Sequence, residues 1–285
     1  MSDDPFVSHR GLLFTVAYEM LGSAVDAEDV VQETWLRWTN VDQAEVHHPR
    51  AYLVRIVTRQ ALNRLRALSR QREEYVGEWL PEPVSTSADV ESELAANVSI
   101  AMLTVLETLG PTERAVFVLH EVFETPYDEI ADIVGKSPVA VRQTAHRARE
   151  HVAARRPRMQ LDRAQQEETL DRFLAAITSG DVQGLMDVLA PDVVLIADGG
   201  GVVAAARKPT VGVESVVSFL SRVADLSDLE VSTTWFNAMP GARFEVRGDV
   251  TAVSLAIEGE RITRIYAIRN PQKLTRLDQE ADLQR

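Results

Sequence analysis

The chain of 285 residues contains no cysteine. Disulfide bonds and thiolate metal sites are therefore excluded, which fits a reducing compartment. The sequence also lacks a run of about 18 apolar residues that could cross a membrane. Its N-terminal stretch, MSDDPFVSHRGLLF, has no basic segment leading into a long apolar one, as a signal peptide would. We therefore expect a soluble, cytoplasmic protein with no membrane partner.

Acidic residues outnumber basic ones by 43 to 30, for a formal net charge of −13, but the two signs are unevenly distributed. Residues 46–72 contain seven arginines and no acid, and residues 136–158 contain seven basic residues and one acid, Glu150. Acids gather in residues 73–93 and in the C-terminal half. Basic faces on an acidic protein indicate contact with nucleic acid at those faces, although a single basic run could equally be a solvated surface.

The second basic run has the layout of a helix-turn-helix. A short helix over residues 127–134 leads into a glycine-containing turn, after which Ser137 can cap a second helix and Pro138 can occupy its first turn. Such a helix can enter the major groove of DNA, and Arg142 and Gln143 are the favoured base-contacting residues. The alternative is an ordinary helical hairpin with arginine on its solvent-exposed side. The residues expected to pack inward are Val139, Val141, Ala145 and Ala148.

The first basic run also predicts a helix, because four of its polar side chains recur at spacings of three and four and so share one face. A basic stripe of this kind suits a DNA backbone or an unstacked strand. The preceding segment, DAEDVVQETWLRW, predicts an amphipathic helix with an acidic outer face, which suggests a protein partner. The four residues of the stripe are Arg55, Arg59, Asn63 and Arg66.

Over residues 6–157 the chain strongly resembles bacterial sigma factors of the extracytoplasmic-function group. The resemblance rests on three segments in order: DAEDVVQETWLRW, PRAYLVRIVTRQALNRLR and LGPTERAVFVLHEVFETPYDEIADIVGKSPVAVRQTAHRARE. In that family the first docks on core RNA polymerase, the second recognises and opens the −10 promoter element, and the third contacts the −35 element.

The resemblance implies two all-α domains, with core RNA polymerase and promoter DNA as partners. Relatives often have aspartate at the position of Asn63, which bears on the −10 preference. The core-polymerase-binding residues it implies are Asp26, Glu28, Asp29, Val30, Gln32, Glu33 and Trp35. The −10 residues are those of the basic stripe, and the −35 residues are Ser137, Val139, Arg142, Gln143, His146, Arg147 and Arg149.

The chain continues for about 125 residues beyond such a minimal sigma factor. Helical patterns come first in this part and alternating, β-branched strand patterns follow, with a hairpin turn at residues 258–260, so we expect a separate α+β domain. It resembles the cone-shaped SnoaL-like domains that extend one subgroup of these sigma factors. The motifs that support this are WLPEP, DGGG and NPQKL; relatives usually have lysine where Val202 stands and aspartate where Gln272 stands. The regulatory or interdomain residues implied are Trp79, Leu80, Pro81, Glu82, Pro83, Asp198, Gly199, Gly200, Asn270, Pro271, Lys273 and Leu274.

Two interpretations of this extra domain compete. As a SnoaL-like isomerase or hydrolase, it would use Asp198 at the pocket mouth as general acid and base, but the domain contains no histidine to share the proton. As a regulator, which we favour, it would act in cis on the sigma domains in place of a separate anti-sigma factor. WLPEP could then anchor the domains, or simply staple the helical domain locally. A stand-alone repressor is a third possibility.

The sequence thus predicts a promoter-recognition subunit without catalytic residues, metal or cofactor, with room for an unidentified small ligand in the cone. No histidine pair has a metal-ligand spacing. The expected order of parts is a helical domain at 1–72, a linker at 73–93, a helix-turn-helix domain at 94–158, a SnoaL-like domain at 162–277 and a tail at 278–285.

Overall fold

A computed structural model describes the chain at residues 4–72, 74–87, 90–155, 163–223 and 229–285. Within these ranges, no helix combines the length and the apolar character that crossing a bilayer requires. The described parts comprise two groups of helices, a linker segment (residues 74–87), an α+β domain and a C-terminal tail (residues 275–285).

The N-terminal helical domain consists of α1 (Pro5–Leu21), α2 (Ala24–Trp38) and α3 (Pro49–Arg72). Gly22, with φ of 65°, ends α1 in the left-handed conformation that glycine adopts without strain. Ser23 then caps α2 by accepting a hydrogen bond from the backbone N–H of Asp26. The predicted helical character of this region is confirmed.

The helix-turn-helix domain follows the linker segment and ends in the predicted motif. Ser137 caps the last helix through the N–H of Ala140, as expected. Val139 was expected to face inward, but it is 60% exposed, so this prediction is wrong. Two residues along a helix correspond to a rotation of about 200°, which turns Val139 away from buried Val141. The helices are α4 (Ser92–Val98), α5 (Ile100–Leu106), α6 (Pro111–Phe117), α7 (Tyr127–Val134) and α8 (Pro138–Ala153).

The C-terminal part is an α+β domain, as predicted, which we call the cone domain. Its six-stranded sheet has the order β2-β1-β6-β5-β4-β3, with β1 parallel to β6 and the other pairs antiparallel. The predicted turn at 258–260 joins β5 to β6. The helices are α9 (Arg163–Ser179), α10 (Val182–Val188) and α11 (Val213–Val223). The strands are β1 (Leu189–Asp198), β2 (Thr210–Val211), β3 (Leu229–Phe236), β4 (Met239–Val246), β5 (Asp249–Glu258) and β6 (Arg261–Ile268).

The hydrophobic cores of the domains are joined rather than separate. Side chains of both helical domains form one buried cluster, and Val84 of the linker segment, Met239 of the cone domain and Leu283 of the tail belong to it. A smaller cluster joins Leu80 of the linker segment to Ile100 of α5 and to the cone sheet. The linker segment, the tail and one edge of the cone domain therefore help to hold the helical domains together.

A buried acid lies where the two helical domains meet. Glu19 of α1 is fully buried, and neither of its carboxyl oxygens has a hydrogen-bond partner among the described residues. The guanidinium Nε of Arg114, on α6, donates instead to the backbone carbonyl of Glu19 at 2.9 Å. Burial raises the pKa of Glu19 from 4.5 to about 8, against the opposing effect of nearby Arg114 and Arg285. The folded chain therefore keeps this proton near neutral pH.

Glu19 makes the stability of the fold depend on pH. Between pH 4.5 and about 8 the unfolded chain loses a proton that the folded chain retains, so the free energy of unfolding falls as pH rises across this window. We expect Glu19→Gln to raise the free energy of unfolding by about 4–5 kcal/mol at pH 9 and to have little effect near pH 4.5. Urea denaturation at both pH values measures this, with exposed Glu260→Gln as the control. An equal effect of Glu19→Gln at both pH values would contradict it.

Candidate functional site

The predicted polymerase-docking residues lie on or near one side of α2, but they are not equally accessible. Asp29, Gln32 and Glu33 are exposed, whereas Val30 is 3% exposed and packs in the helical core. A contact by the Val30 side chain is therefore excluded in this conformation. Trp35 is half-buried, with its ring centroid 4.9 Å from that of Phe6. The accessible part of the predicted surface is thus its acidic and amide side chains.

Two acids of this predicted surface are already paired within the chain. Asp26 accepts from the Nε of Arg64, on α3, at 2.8 Å. Glu28 pairs with Arg10 at 2.6 Å and with Arg276, in the tail, at 3.3 Å. A residue from the C-terminal extension therefore contacts a residue predicted to bind core polymerase.

The basic stripe on α3 is exposed as predicted, and one of its members contacts the helix-turn-helix domain. Arg59 donates to the backbone carbonyl of Asp132 at 2.7 Å, near the C-terminal end of α7, where helix carbonyls carry partial negative charge. A groove of about 700 Å³ beside this contact is lined by Arg50 and Arg55 on one side and by Glu129 and Asp132 on the other. Acids of one helical domain thus face a predicted DNA-binding stripe of the other.

The predicted −35 residues share the outer face of α8. Arg142 lies with its guanidinium carbon 5.8 Å from the centre of the Tyr127 ring, and Arg149 pairs with Glu121 at 3.5 Å. Neither contact buries the side chain. This face is therefore open to a ligand in the free chain. Its exposed members are Ser137, Val139, Arg142, Gln143, His146, Arg147 and Arg149.

The three motifs of the extension and linker meet around one buried carboxylate. Asp198, at the end of β1, is 1% exposed and accepts hydrogen bonds from Lys273 Nζ at 2.6 Å and from the N–H of Leu80 at 2.8 Å. It also accepts from the hydroxyl of Tyr75 at 2.6 Å and from the N–H of Gly200 at 3.0 Å. We call this set of contacts the clasp.

The other groups of the clasp complete its hydrogen bonding. The amide of Asn270 donates to the Tyr75 hydroxyl at 2.9 Å. Burial and the bond to Asp198 raise the pKa of Tyr75, so its hydroxyl stays protonated and remains a donor. Lys273 Nζ lies 4.0 Å from the centre of the Trp79 ring, a cation–π contact, and donates to the carbonyl of Leu80. Each charge of the buried pair is therefore surrounded by polar or aromatic partners.

WLPEP continues from the clasp to the N-terminal helical domain. The carboxylate of Glu82 accepts from Ser23 Oγ at 2.8 Å and from the first backbone N–H groups of α2, those of Ala24 at 2.6 Å and Val25 at 3.1 Å. Helix N-termini bind carboxylates because their N–H groups lack partners within the helix. The segment thus links the cone domain to the helix that carries the predicted polymerase-docking residues, and is more than a local staple.

Comparisons with known proteins identify both helical domains. A family model described as Sigma-70 region 2 matches residues 6–71, and one described as Sigma-70, region 4 matches residues 99–152. The probable ECF RNA polymerase sigma factor SigI of Mycobacterium tuberculosis is 30% identical over 279 residues, covering 96% of this chain and 94% of that protein.

A second relative decides the assignment. The ECF RNA polymerase sigma factor SigJ of Mycobacterium tuberculosis is 39% identical over 226 residues, covering 77% of this chain and 72% of that protein. The crystal structure of SigJ matches with a TM-score of 0.78 at 33% identity, over 95% of this chain and 98% of that one. The chain belongs to the extracytoplasmic-function RNA polymerase sigma factors. Its two helical domains carry sigma-70 regions 2 and 4, and these imply core RNA polymerase and promoter DNA as partners.

The cone domain of this sigma factor contains a cavity that excludes Asp198. The cavity, of about 330 Å³, is lined by alternate residues of the sheet, among them Leu195 and Ala197 of β1. Because side chains alternate across a strand, Asp198 lies on the opposite face from Ala197 and points toward the linker segment. The expectation that Asp198 stands at the pocket mouth is therefore wrong: the sheet has two covered faces, and the motif lies on the one that meets the linker.

Sequence reasoning missed several residues that join the domains of the sigma factor. Tyr75 precedes the WLPEP motif, and no role is predicted for Arg276 or for the residues that follow it. Arg276 contacts α2, and the N–H of Gln284 donates to Thr15 of α1 at 3.0 Å. Asn237, in the β3–β4 turn, is fully buried between domains. The signal for Asn237 was an asparagine between two strand patterns, which predicts a turn without indicating what the turn contacts.

Removing the charge of Asp198 should destabilise the sigma factor. Asp198→Asn leaves the Lys273 ammonium buried without its counter-charge, and breaking a buried pair in this way costs about 3 kcal/mol. Thermal and urea unfolding of the full chain measure the loss. Asp192→Asn makes the same change at an exposed position of the same strand and should have an effect within about 0.5 kcal/mol. Equal stability of the two variants would show that the clasp contributes little.

Proposed function

We propose that the cone domain regulates this sigma factor in cis, by holding regions 2 and 4 in a closed arrangement that restrains docking on core polymerase and promoter DNA. The observation that carries the proposal is the clasp: Asp198 and Lys273 of the cone domain bind the linker segment that also caps α2 through Glu82. Two further contacts support it. Arg276 pairs with Glu28 on the predicted docking surface, and Arg59 of the basic stripe contacts α7.

We assign the binding roles as the resemblance implies. The exposed acids and amides of α2 would dock on core polymerase, the α3 stripe would hold the −10 strand, and the outer face of α8 would contact the −35 element. The net charge of −13 supports a requirement for polymerase, because a strongly acidic chain is repelled by the phosphate backbone. Tight operator binding by the free chain, as a repressor needs, is therefore disfavoured.

A regulatory role for the cone domain is better supported than an enzymatic one. The candidate acid, Asp198, is buried on the face opposite the cavity and is bonded to four donors, which leaves it no access to a substrate there. The cavity is mostly apolar, and among the described residues its charged members are Arg247, Asp249 and Arg269. Other contacts of the extension reach both helical domains, through Arg276 to Glu28 and through Asn237 to Val98, and they support our prediction that no separate anti-sigma factor is required.

Releasing the clasp should strengthen binding to core polymerase. We expect Asp198→Asn to bind core RNA polymerase several-fold more tightly than the unchanged chain, because the extension no longer holds the closed arrangement. A titration of labelled full-length protein with core polymerase measures this, with Asp192→Asn as the matched control. A version ending at residue 159 should bind at least as tightly as Asp198→Asn. Unchanged or weaker binding by both would contradict restraint, and failure of every form to bind would overturn the assigned docking role.

Promoter recognition should depend on the outer face of α8. In the complex with core polymerase, Arg142→Ala should lower affinity for a promoter fragment, recovered by binding selection, by roughly tenfold or more through loss of base contacts. It should also relax the sequence preference at one position. The control is Arg207→Ala, at an exposed arginine of the cone domain. If the two variants bound the selected and a scrambled fragment equally well, the −35 assignment would be wrong.

A further inference from the structure

The turn between β3 and β4 lies where the cone domain meets the two helical domains. Asn237 and its neighbour Ala238 form the two-residue turn, and both have positive φ, 55° and 57°. Such turns match the native twist of the strands that they join, but they favour asparagine and glycine. Alanine adopts the left-handed conformation only at a cost in conformational energy. Both residues are buried, and Ala238 packs in the shared core of the helical domains. A strained backbone conformation of this kind persists when contacts with the surrounding residues stabilise it.

The side-chain amide of Asn237 bonds to three different parts of the chain. Its Nδ2 donates to the hydroxyl of Tyr18, on α1, at 2.6 Å and to the carbonyl of Val98, at the end of α4, at 2.9 Å. Its Oδ1 accepts from the N–H of Val84, in the linker segment, at 3.1 Å. The orientation of the amide is settled by these partners, because a flipped amide would face a carbonyl with an oxygen and an N–H with a nitrogen.

The two hydrogens of one amide group therefore go to two different helical domains. The Val98 carbonyl belongs to the last turn of α4, where helix carbonyls lack partners within the helix. Tyr18 donates its own proton to the carbonyl of Glu82, so its oxygen is left to accept from Asn237. Burial raises the pKa of Tyr18, which keeps the hydroxyl neutral. One side chain of the cone domain thus completes the hydrogen bonding of α1 and of α4 together.

Backbone contacts hold the turn against the linker segment independently of that amide. The N–H of Asn237 donates to the carbonyl of Val84 at 2.9 Å, and the N–H of Thr86 donates to the carbonyl of Trp235 at 3.1 Å. The N–H of Ala238 donates to Thr86 Oγ1 at 2.8 Å. The linker segment is therefore bound to the turn as well as to the clasp, and the Asn237 side chain adds hydrogen bonds to α1 and α4.

We propose that the β3–β4 turn is the element that locks regions 2 and 4 to each other, with Asn237 as the residue that bridges them. The clasp attaches the cone domain to the linker segment, which caps α2 through Glu82, whereas Asn237 ties α1 to α4. Loss of the Asn237 bridge would let region 4 move away from region 2 while the cone domain stays attached to region 2. This division of labour rests on the proposed cis regulation and goes beyond it by naming the residue that closes the sigma domains.

The substitution that tests this is Asn237→Asp. It keeps the size of the side chain, its tolerance of positive φ and the acceptor for Val84, but replaces the shared donor group by an oxygen that faces the Val98 carbonyl. Asn40→Asp is the matched control: its amide donates to Leu36 within one helical domain and is exposed. Tyr18→Phe is a second variant, which removes the bridge from the side of α1.

The chain has no cysteine, so introduced cysteines report single distances. Dyes at Val7→Cys and Lys136→Cys follow the two helical domains, and dyes at Val7→Cys and Lys208→Cys follow the N-terminal helical domain and the cone domain. These positions are exposed. Single-molecule energy transfer on the full chain then gives the closed and open populations of each pair.

We expect Asn237→Asp to shift the closed-to-open ratio of the first pair roughly tenfold toward open, as follows from leaving a buried acceptor unsatisfied. The second pair should be unchanged. Tyr18→Phe should shift the first pair in the same direction, and Asn40→Asp should shift neither. Populations of the first pair equal to those of the control in both bridge variants, or both pairs opening together, would overturn the proposal. Opening without any gain in core polymerase affinity would uphold the bridge and refute cis restraint.

Discussion

The carboxylate of Asp198 lies inside the protein with four donors directed at it, one of which is the ammonium group of Lys273. A buried charge is tolerated only when its hydrogen bonds are fully made, because removal from water is costly. Two of these donors, from Tyr75 and Leu80, belong to the linker segment and not to the cone domain. Detachment of the linker segment would therefore expose the Asp198–Lys273 pair to solvent or leave Asp198 without two of its hydrogen bonds. This constraint fixes the position of the cone domain relative to the sigma domains.

The same constraint connects the extension to the surfaces predicted to bind polymerase and DNA. Two residues after Leu80, Glu82 caps α2, the helix whose outer face carries the predicted docking residues. The tail returns to that helix through Arg276, and the β3–β4 turn enters the core shared by the helical domains. A regulatory domain needs such direct contacts if its state is to bias an equilibrium at a distant surface. In this chain the cone domain and the predicted docking surface lie close together, since one continuous set of contacts joins them.

Under the proposed cis regulation, the charge distribution provides a means of opening the closed arrangement. The basic stripe of α3 faces acids of the helix-turn-helix domain, and Arg59 contacts the C-terminal end of α7. Promoter phosphates carry more charge than a helix end and would compete for the same arginine. The apolar core that joins the domains opposes their separation. Under the proposed cis regulation, polymerase and promoter DNA together would open this arrangement, and the acidity of the chain favours a partner in its approach to DNA.

The sequence alone determined the features that depend on interactions between residues close together in the chain. Residues a few positions apart determine helix periodicity, the Ser137 cap and the helix-turn-helix, and they distinguish the helices from the strands that follow. The three motifs are short contiguous segments and could be recognised directly in the sequence. The sequence predicted the exposed stripe of α3, but it could not supply what lies against each surface. Asp198 lies opposite the cavity because side chains alternate along β1 and Ala197 takes the cavity face, and Val139 is exposed because its helix turns it outward. The bond from Tyr75 to Asp198 spans 123 positions and that from Asn237 to Tyr18 spans 219; partners this far apart are selected by packing of the whole chain, so only the tertiary structure decided them.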